Sequence, residues 1–162
     1  VQLVRGVRRP ADSYFLRAES FYNLASNIDD LDEGIPGLIE SYGGVSLHAQ
    51  SHGESFWSLL SERFRDNGLY LLDEPEAALS PSRQLAALSL MHQLAQRRAQ
   101  FIVATHSPIL MAYPDAVIYL FSERGIRQVA YEETEHYQVT RNFLNHVDAS
   151  LEELLRGEGE LF

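Results

Sequence analysis

The stretch Leu69-Tyr70-Leu71-Leu72-Asp73-Glu74-Pro75 decides how this chain is read. Four apolar residues run straight into two carboxylates, and a proline then stops any continuation of a strand. A strand buried in a parallel sheet reads as such a short apolar run, and open α/β sheets bind ligands outside the carboxyl ends of their strands. Adjacent acids at that edge repel each other, which implies a cation or a tuned pKa. One acid holding Mg²⁺ while the other polarises a water accounts for the pair. A purely structural Asp-Glu-Pro turn is the plain alternative. A second apolar run, Phe101-Ile102-Val103-Ala104-Thr105, ends in the same way at His106.

Outward from these two runs, strands alternate with helices, the pattern of an α/β layer architecture. Ser13–Arg17 is strand-like, and Glu19–Ala25 reads as helical. Residues 29–50 are rich in turn formers (Asp29, Asp30, Gly34, Pro36, Gly43-Gly44) and read as a surface connection. A helix opens at Ser51, with Phe56, Trp57, Leu59, Leu60 and Phe64 on one face, and Gly68 ends it. Ser80-Pro81 starts a long helix, serine as cap and proline in the first turn. Leu85, Leu88, Met91 and Leu94 form its expected apolar stripe, and Arg97-Arg98 sit where cations suit a helix C-terminus. Ser107-Pro108 begins a short helix, Val117–Phe121 and Ile126–Tyr131 read as strands about a turn at Arg124-Gly125, and helices over roughly 133–146 and 149–156 finish the chain.

The 162 residues fit one domain with a real core, and 45% hydrophobic content suits a soluble protein. With no cysteine there is neither a disulfide framework nor a thiolate metal site, which is compatible with a reducing cytoplasm. No apolar run approaches the roughly 18 residues of a membrane span. The net charge of −10 repels nucleic acid and anionic lipid, although Arg5, Arg8, Arg9 and Arg17 crowd the first segment. That crowd is either a local basic patch or a solvated strand edge. All thirteen basic residues are arginine. A phosphate-cradling loop of the form G-x-x-x-x-G-K-[ST] needs a lysine, and Gly6, Gly34, Gly37, Gly43, Gly44 and Gly53 give no substitute. The chain alone is therefore expected not to hold ATP tightly. Its start at Val1 suggests a fragment or a processed product.

Ser51-His52-Gly53-Glu54-Ser55 carries two meanings. Ser-x-x-Glu is a capping box that satisfies orphan backbone donors at a helix start. The same geometry, with a glycine for close approach and serine hydroxyls, suits a phosphate at a helix N-terminus. Asp73 follows Ser51 by 22 positions, and His106 follows Asp73 by 33. No His-x-x-x-His or His/carboxylate spacing suggests structural zinc.

In combination these elements resemble the ATP-binding cassette (ABC-type) ATPases over most of residues 51–110. Ser51–Ser55 is similar to a divergent signature motif, Leu69–Glu74 to the Walker B strand with its catalytic glutamate, Ala77–Ser80 to the D-loop, and Ala104–Ser107 to the switch-histidine segment. The Asp73-Glu74-Pro75-Glu76 form is closer to soluble cassettes of the structural-maintenance, recombination and overcoming-lysogeny-defect types than to transporters. The strings around Phe15-Leu16-Arg17-Ala18-Glu19-Ser20-Phe21 and Ser51–Phe56 look like a bacterial family of small stand-alone predicted ATPases. Two departures stand out: neither Glu19 nor Ser20 is the glutamine of a Q-loop, and Ser80 stands where aspartate is common.

The resemblance implies an α/β fold, a P-loop NTPase (ABC ATPase-like) layered sheet with flanking helices whose N-terminal phosphate-loop portion is missing. Residues 1–162 are then a single partial ABC-type domain, with 29–50 as the loop-rich connection before the signature helix. It also implies ATP and Mg²⁺ as cofactors, the phosphate loop coming from upstream, and a homodimer in the ATP-bound state in a cytoplasmic protein. Asp73 would hold Mg²⁺, Glu74 would orient the attacking water, and His106 would contact the γ-phosphate. Ser51, Gly53, Glu54, Ser55 and Ser80 would meet the nucleotide from the signature helix and D-loop. Competing readings are a non-hydrolysing dimerisation or binding module, the ATPase subunit of a transporter, and a metal-dependent nuclease using Asp73, Glu74 and Glu76.

Overall fold

A computed structural model describes residues 9–20 and 52–156. Its contacts divide the chain into two compact units, 1–105 and 106–162. The first unit contains β1 (Asp12–Arg17), α1 (His52–Arg63), β2 (Gly68–Asp73), a 3₁₀ turn (Pro75–Ala78), α2 (Pro81–Gln96) and β3 (Gln100–Ala104). Among the described residues its strands form a three-stranded parallel sheet in the order β1-β2-β3. Tyr14, Tyr70 and Phe101 share one register row, and Leu16, Leu72 and Val103 the next row on the same face.

That face carries the core. Leu16, Tyr70 and Leu72 are buried against Phe56, Leu59 and Leu60 of α1, against Phe64 just after it, and against Ala87 and Leu94 of α2. The rings of Phe64 and Tyr70 stack with centroids 4.0 Å apart. Tyr70 is fully buried, so its hydroxyl must be satisfied internally. It accepts the Arg65 backbone N–H at 2.5 Å and lies 3.1 Å from the Arg65 carbonyl and 3.2 Å from Asp12 Oδ2. Burial raises the Tyr70 hydroxyl above its ordinary pKa; the Arg65 N–H opposes this and Asp12 adds to it. Gly68 begins β2 because a methyl group there would run into the Tyr70 ring and hydroxyl. On the other face Phe15 and Ile102, which flank Leu71 in register, are 63% and 54% exposed.

Helix α2 starts as its sequence demands. Ser80 Oγ accepts the Arg83 N–H at 3.4 Å, and Pro81 fills the first turn. It ends in a Schellman arrangement: Ala99 N–H reaches the Leu94 carbonyl, Arg98 N–H reaches Ala95, and Arg98 takes a left-handed φ of 69°. The expected apolar stripe needs one correction. Leu94 is buried and Leu88 and Met91 partly so, but Leu85 is exposed and Gln84 takes the inward place. The Gln84 amide donates to the Leu79 carbonyl at 2.9 Å, which makes a polar residue acceptable in the seam. The helix expected over Glu19–Ala25 is a 3₁₀ turn at Ala18–Ser20 where described, and residues 21–25 and the 29–50 connection lie outside the described residues.

The second unit contains α3 (Pro108–Met111), β4 (Ile118–Ser122), β5 (Gly125–Val129), a 3₁₀ turn (Tyr131–Glu133), α4 (Glu135–Asn145) and α5 (Val147–Arg156). β4 and β5 form an antiparallel hairpin, and Gly125 supplies the φ of 109° at its turn. Ser107 Oγ caps α3 by accepting the Ile109 and Leu110 N–H groups, and Thr134 Oγ1 caps α4 through Tyr137 N–H. The Tyr131 hydroxyl donates to the Pro108 carbonyl at 2.8 Å, which ties the turn before α4 to α3. No helix of the described residues is long and apolar enough to cross a membrane.

Candidate functional site

Parallel register brings Arg17, Asp73 and Ala104 into one row at the carboxyl edge of the sheet. Asp73 Oδ2 lies 3.2 Å from Arg17 Nε, and Arg17 Nη2 lies 3.2 Å from Glu19 Oε2. One guanidinium thus bridges two carboxylates at this edge. The Asp73 side chain is 33% exposed and that of Arg17 51%, so water reaches the pair and screens it.

Beyond Asp73 the backbone turns sharply. Glu74 adopts φ 50° and ψ 49°, the left-handed region that a side chain normally avoids. A non-glycine residue held there stores on the order of 1–3 kcal/mol and persists only where its surroundings enforce it. They do so here. Glu74 N–H donates to the Ala104 carbonyl at 2.9 Å, and the Glu74 carbonyl accepts Ala77 N–H at 3.0 Å. Pro75 is buried and opens the 3₁₀ turn. Thr105 Oγ1 donates to Glu76 Oε2 at 2.7 Å, a charge-assisted bond that ties the exit of β3 to the acidic turn. Two hydrogen bonds therefore lock the ends of β2 and β3 together on either side of Glu74.

The chemistry of this edge is that of hard oxygen donors. Asp73, Glu74 and Glu76 lie within four consecutive residues, yet no group of three His, Cys, Asp or Glu among the described residues is placed to hold a metal ion. That donor set fits Mg²⁺ in its usual mode, with one or two carboxylates from the protein and the rest from water and substrate phosphates. Asp73 is a residue of this edge that could hold such an ion, and its carboxylate is already engaged by Arg17, which would have to give way. A nucleotide fits less completely: with no lysine in the chain, none of these residues can supply the point charge of a phosphate loop. The cleft between the ends of α1 and α2, lined by Phe64, Arg65, Leu90 and Arg97, opens at the opposite end of the strands from Asp73.

Ser51 lies outside the described residues, as do the side chains at His52 and Ser55. Gly53 and Glu54 lie in the first turn of α1, with Glu54 exposed. Ser80 is exposed and engaged as the cap of α2, its Oγ also 3.1 Å from Ser82 Oγ. His106 opens the second unit, where its Nδ1 lies 2.9 Å from His136 Nε2. Sequence reasoning passed over the roles of Arg17 and His136. The first was within reach, because aligning the apolar runs 13–17 and 69–73 puts Arg17 opposite Asp73. Nothing local marks the second.

Comparison with family models gives a match over residues 9–112, more than half of the chain, to a family described as AAA domain, putative AbiEii toxin, Type IV TA system. Comparison with curated proteins and with solved structures gave no significant match. The matched span holds the parallel sheet, the acidic turn and α2, and its three-stranded parallel core is consistent with a P-loop NTPase fold. The chain belongs to this AAA-domain family, and at that level it is a nucleotide-binding, ATPase-type domain.

Proposed function

We propose that this chain carries the Walker B and signature part of a cassette-type, cytoplasmic ATPase that hydrolyses ATP with Mg²⁺ in an ATP-dependent homodimer. The observation that carries this reading is Glu74, a left-handed carboxylate locked between the ends of two parallel strands directly after Asp73. A bound Mg·ATP would supply the electrophilic phosphorus and much of the charge neutralisation. Asp73 would hold the metal, Arg17 leaving it for Glu19. Glu74 would accept a hydrogen bond from the attacking water and orient it. His106 would donate to a γ-phosphate oxygen, and Ser51, Gly53 and Ser55 would meet the partner's nucleotide. Such catalysis rests on positioning and charge stabilisation, so one lost group costs on the order of 10²–10³ in rate.

The test is Glu74→Gln in the full-length gene product. Turnover should fall at least a hundredfold while an ATP-bound dimer accumulates in size-exclusion chromatography. Normal turnover in that variant would remove Glu74 from the mechanism. A second reading, a non-hydrolysing dimerisation module, is favoured by the absent lysine if these 162 residues are the whole natural product. It wins if the wild-type protein dimerises without consuming ATP. Metal-dependent DNA cleavage without nucleotide would instead favour a nuclease.

A further inference from the structure

We infer that His136 is a positioning residue for His106. Their rings meet through nitrogen atoms, His106 Nδ1 to His136 Nε2 at 2.9 Å, with centroids 5.0 Å apart and planes tilted by 41°. The contact spans 30 residues and lies wholly inside the second unit. It is held from both sides. His106 directly precedes Ser107, whose hydroxyl caps α3, and His136 is the second residue of α4, whose cap is Thr134. The Tyr131–Pro108 hydrogen bond joins these two starts, and Tyr131 also packs against Tyr137, next to His136, with centroids 4.6 Å apart.

Two imidazole nitrogens can share a hydrogen bond only if one donates and the other accepts. When His136 Nε2 donates, His106 Nδ1 is the acceptor and the His106 proton sits on Nε2. When His106 is the imidazolium, its Nδ1–H donates to His136 and Nε2–H is kept. Only the neutral state with His106 Nδ1 as donor leaves Nε2 bare. Two of the three states thus keep a proton on His106 Nε2, and those are the states an anionic oxygen selects. The Nδ1 contact also fixes the plane of the ring. This inference rests on the reading of His106 as the γ-phosphate contact, and it adds a residue that nothing in the motif pattern supplies.

The first experiment is ¹⁵N NMR of the labelled chain, looking for scalar coupling between His106 Nδ1 and His136 Nε2 through the hydrogen bond. Coupling is expected in the wild type and lost in His136→Phe. Its absence in the wild type overturns the proposal. The second is turnover of the full-length gene product. His136→Phe should lower kcat on the order of tenfold with KM changed less than twofold, and His136→Gln, whose amide can still reach Nδ1, should recover most of it. An unchanged kcat in His136→Phe also overturns the proposal. Equal turnover of wild type and Glu74→Gln would sink the ATPase reading itself, and the coupling alone then decides whether His136 holds His106.

Discussion

Arg17 and Asp73 stand directly opposite each other on adjacent parallel strands, and their side chains close into an ion pair at 3.2 Å. The acid at the end of β2 thus carries an internal counter-charge from the neighbouring strand. Because both side chains are reached by water, the pair adds little to stability. Arg17→Ala should shift the unfolding free energy by less than about 1 kcal/mol in urea titrations. A loss above about 3 kcal/mol would mean that the pair behaves as a buried one.

Glu74 offers a cleaner backbone test. Glycine normally destabilises relative to alanine, but at a left-handed position the order reverses. With φ at 50°, Glu74→Gly should be more stable than Glu74→Ala by about 1 kcal/mol. Both variants lack the carboxylate, so the comparison isolates conformation from chemistry. Equal stabilities in chemical denaturation would show that the turn relaxes.

Thr105→Val keeps the shape of the side chain and removes the donor to Glu76 Oε2. The cost should be about 1.5–3 kcal/mol, the range for bonds to charged groups, and Thr105→Ser should restore most of it. Thermal unfolding of the three proteins checks this. Identical behaviour of the valine and serine variants would contradict a role for the hydroxyl.

Tyr70 links stability to alkaline pH. Its hydroxyl is held above the ordinary value of 10.0, first by burial and then by the nearby Asp12 carboxylate, against the opposing Arg65 N–H. The folded state therefore keeps a proton that the unfolded chain releases. The contribution is fully present below about pH 10 and is lost as pH rises toward the folded-state value. Tyr70→Phe should cost about 1–3 kcal/mol at neutral pH and flatten the fall in stability above pH 10. Urea midpoints at neutral and alkaline pH measure both effects.

Much of the first unit is legible because its signals are local. An apolar run ending in acids marks β2, and the Ser-Pro pair at 80–81 marks a helix start that the structure places at Pro81, as the pair at 107–108 does for Pro108 in the second unit. Other features depend on distant partners. Gln84 looks solvent-facing until the Leu79 carbonyl appears beside it, and Leu85 then faces outward. The left-handed turn at Glu74 has no glycine or asparagine to announce it; the Ala104 carbonyl enforces it from another strand. The His106–His136 contact depends on how α3 and the turn before α4 pack, which hydropathy patterning does not encode.

The strand register also sets an order of assembly. Gly68 must find Asp12 across 56 positions, whereas Leu69 finds Gln100 across only 31. Closing the longer loop costs about 0.5 kcal/mol more, and distant pairings are slow to form. The β2–α2–β3 crossover, with the shorter closure, is therefore expected to form first, and β1 to dock after it. Arg17 arrives with it. Until then Asp73 and Glu74 sit side by side without that cation, so the acidic edge gains its charge balance only in the closing steps of folding.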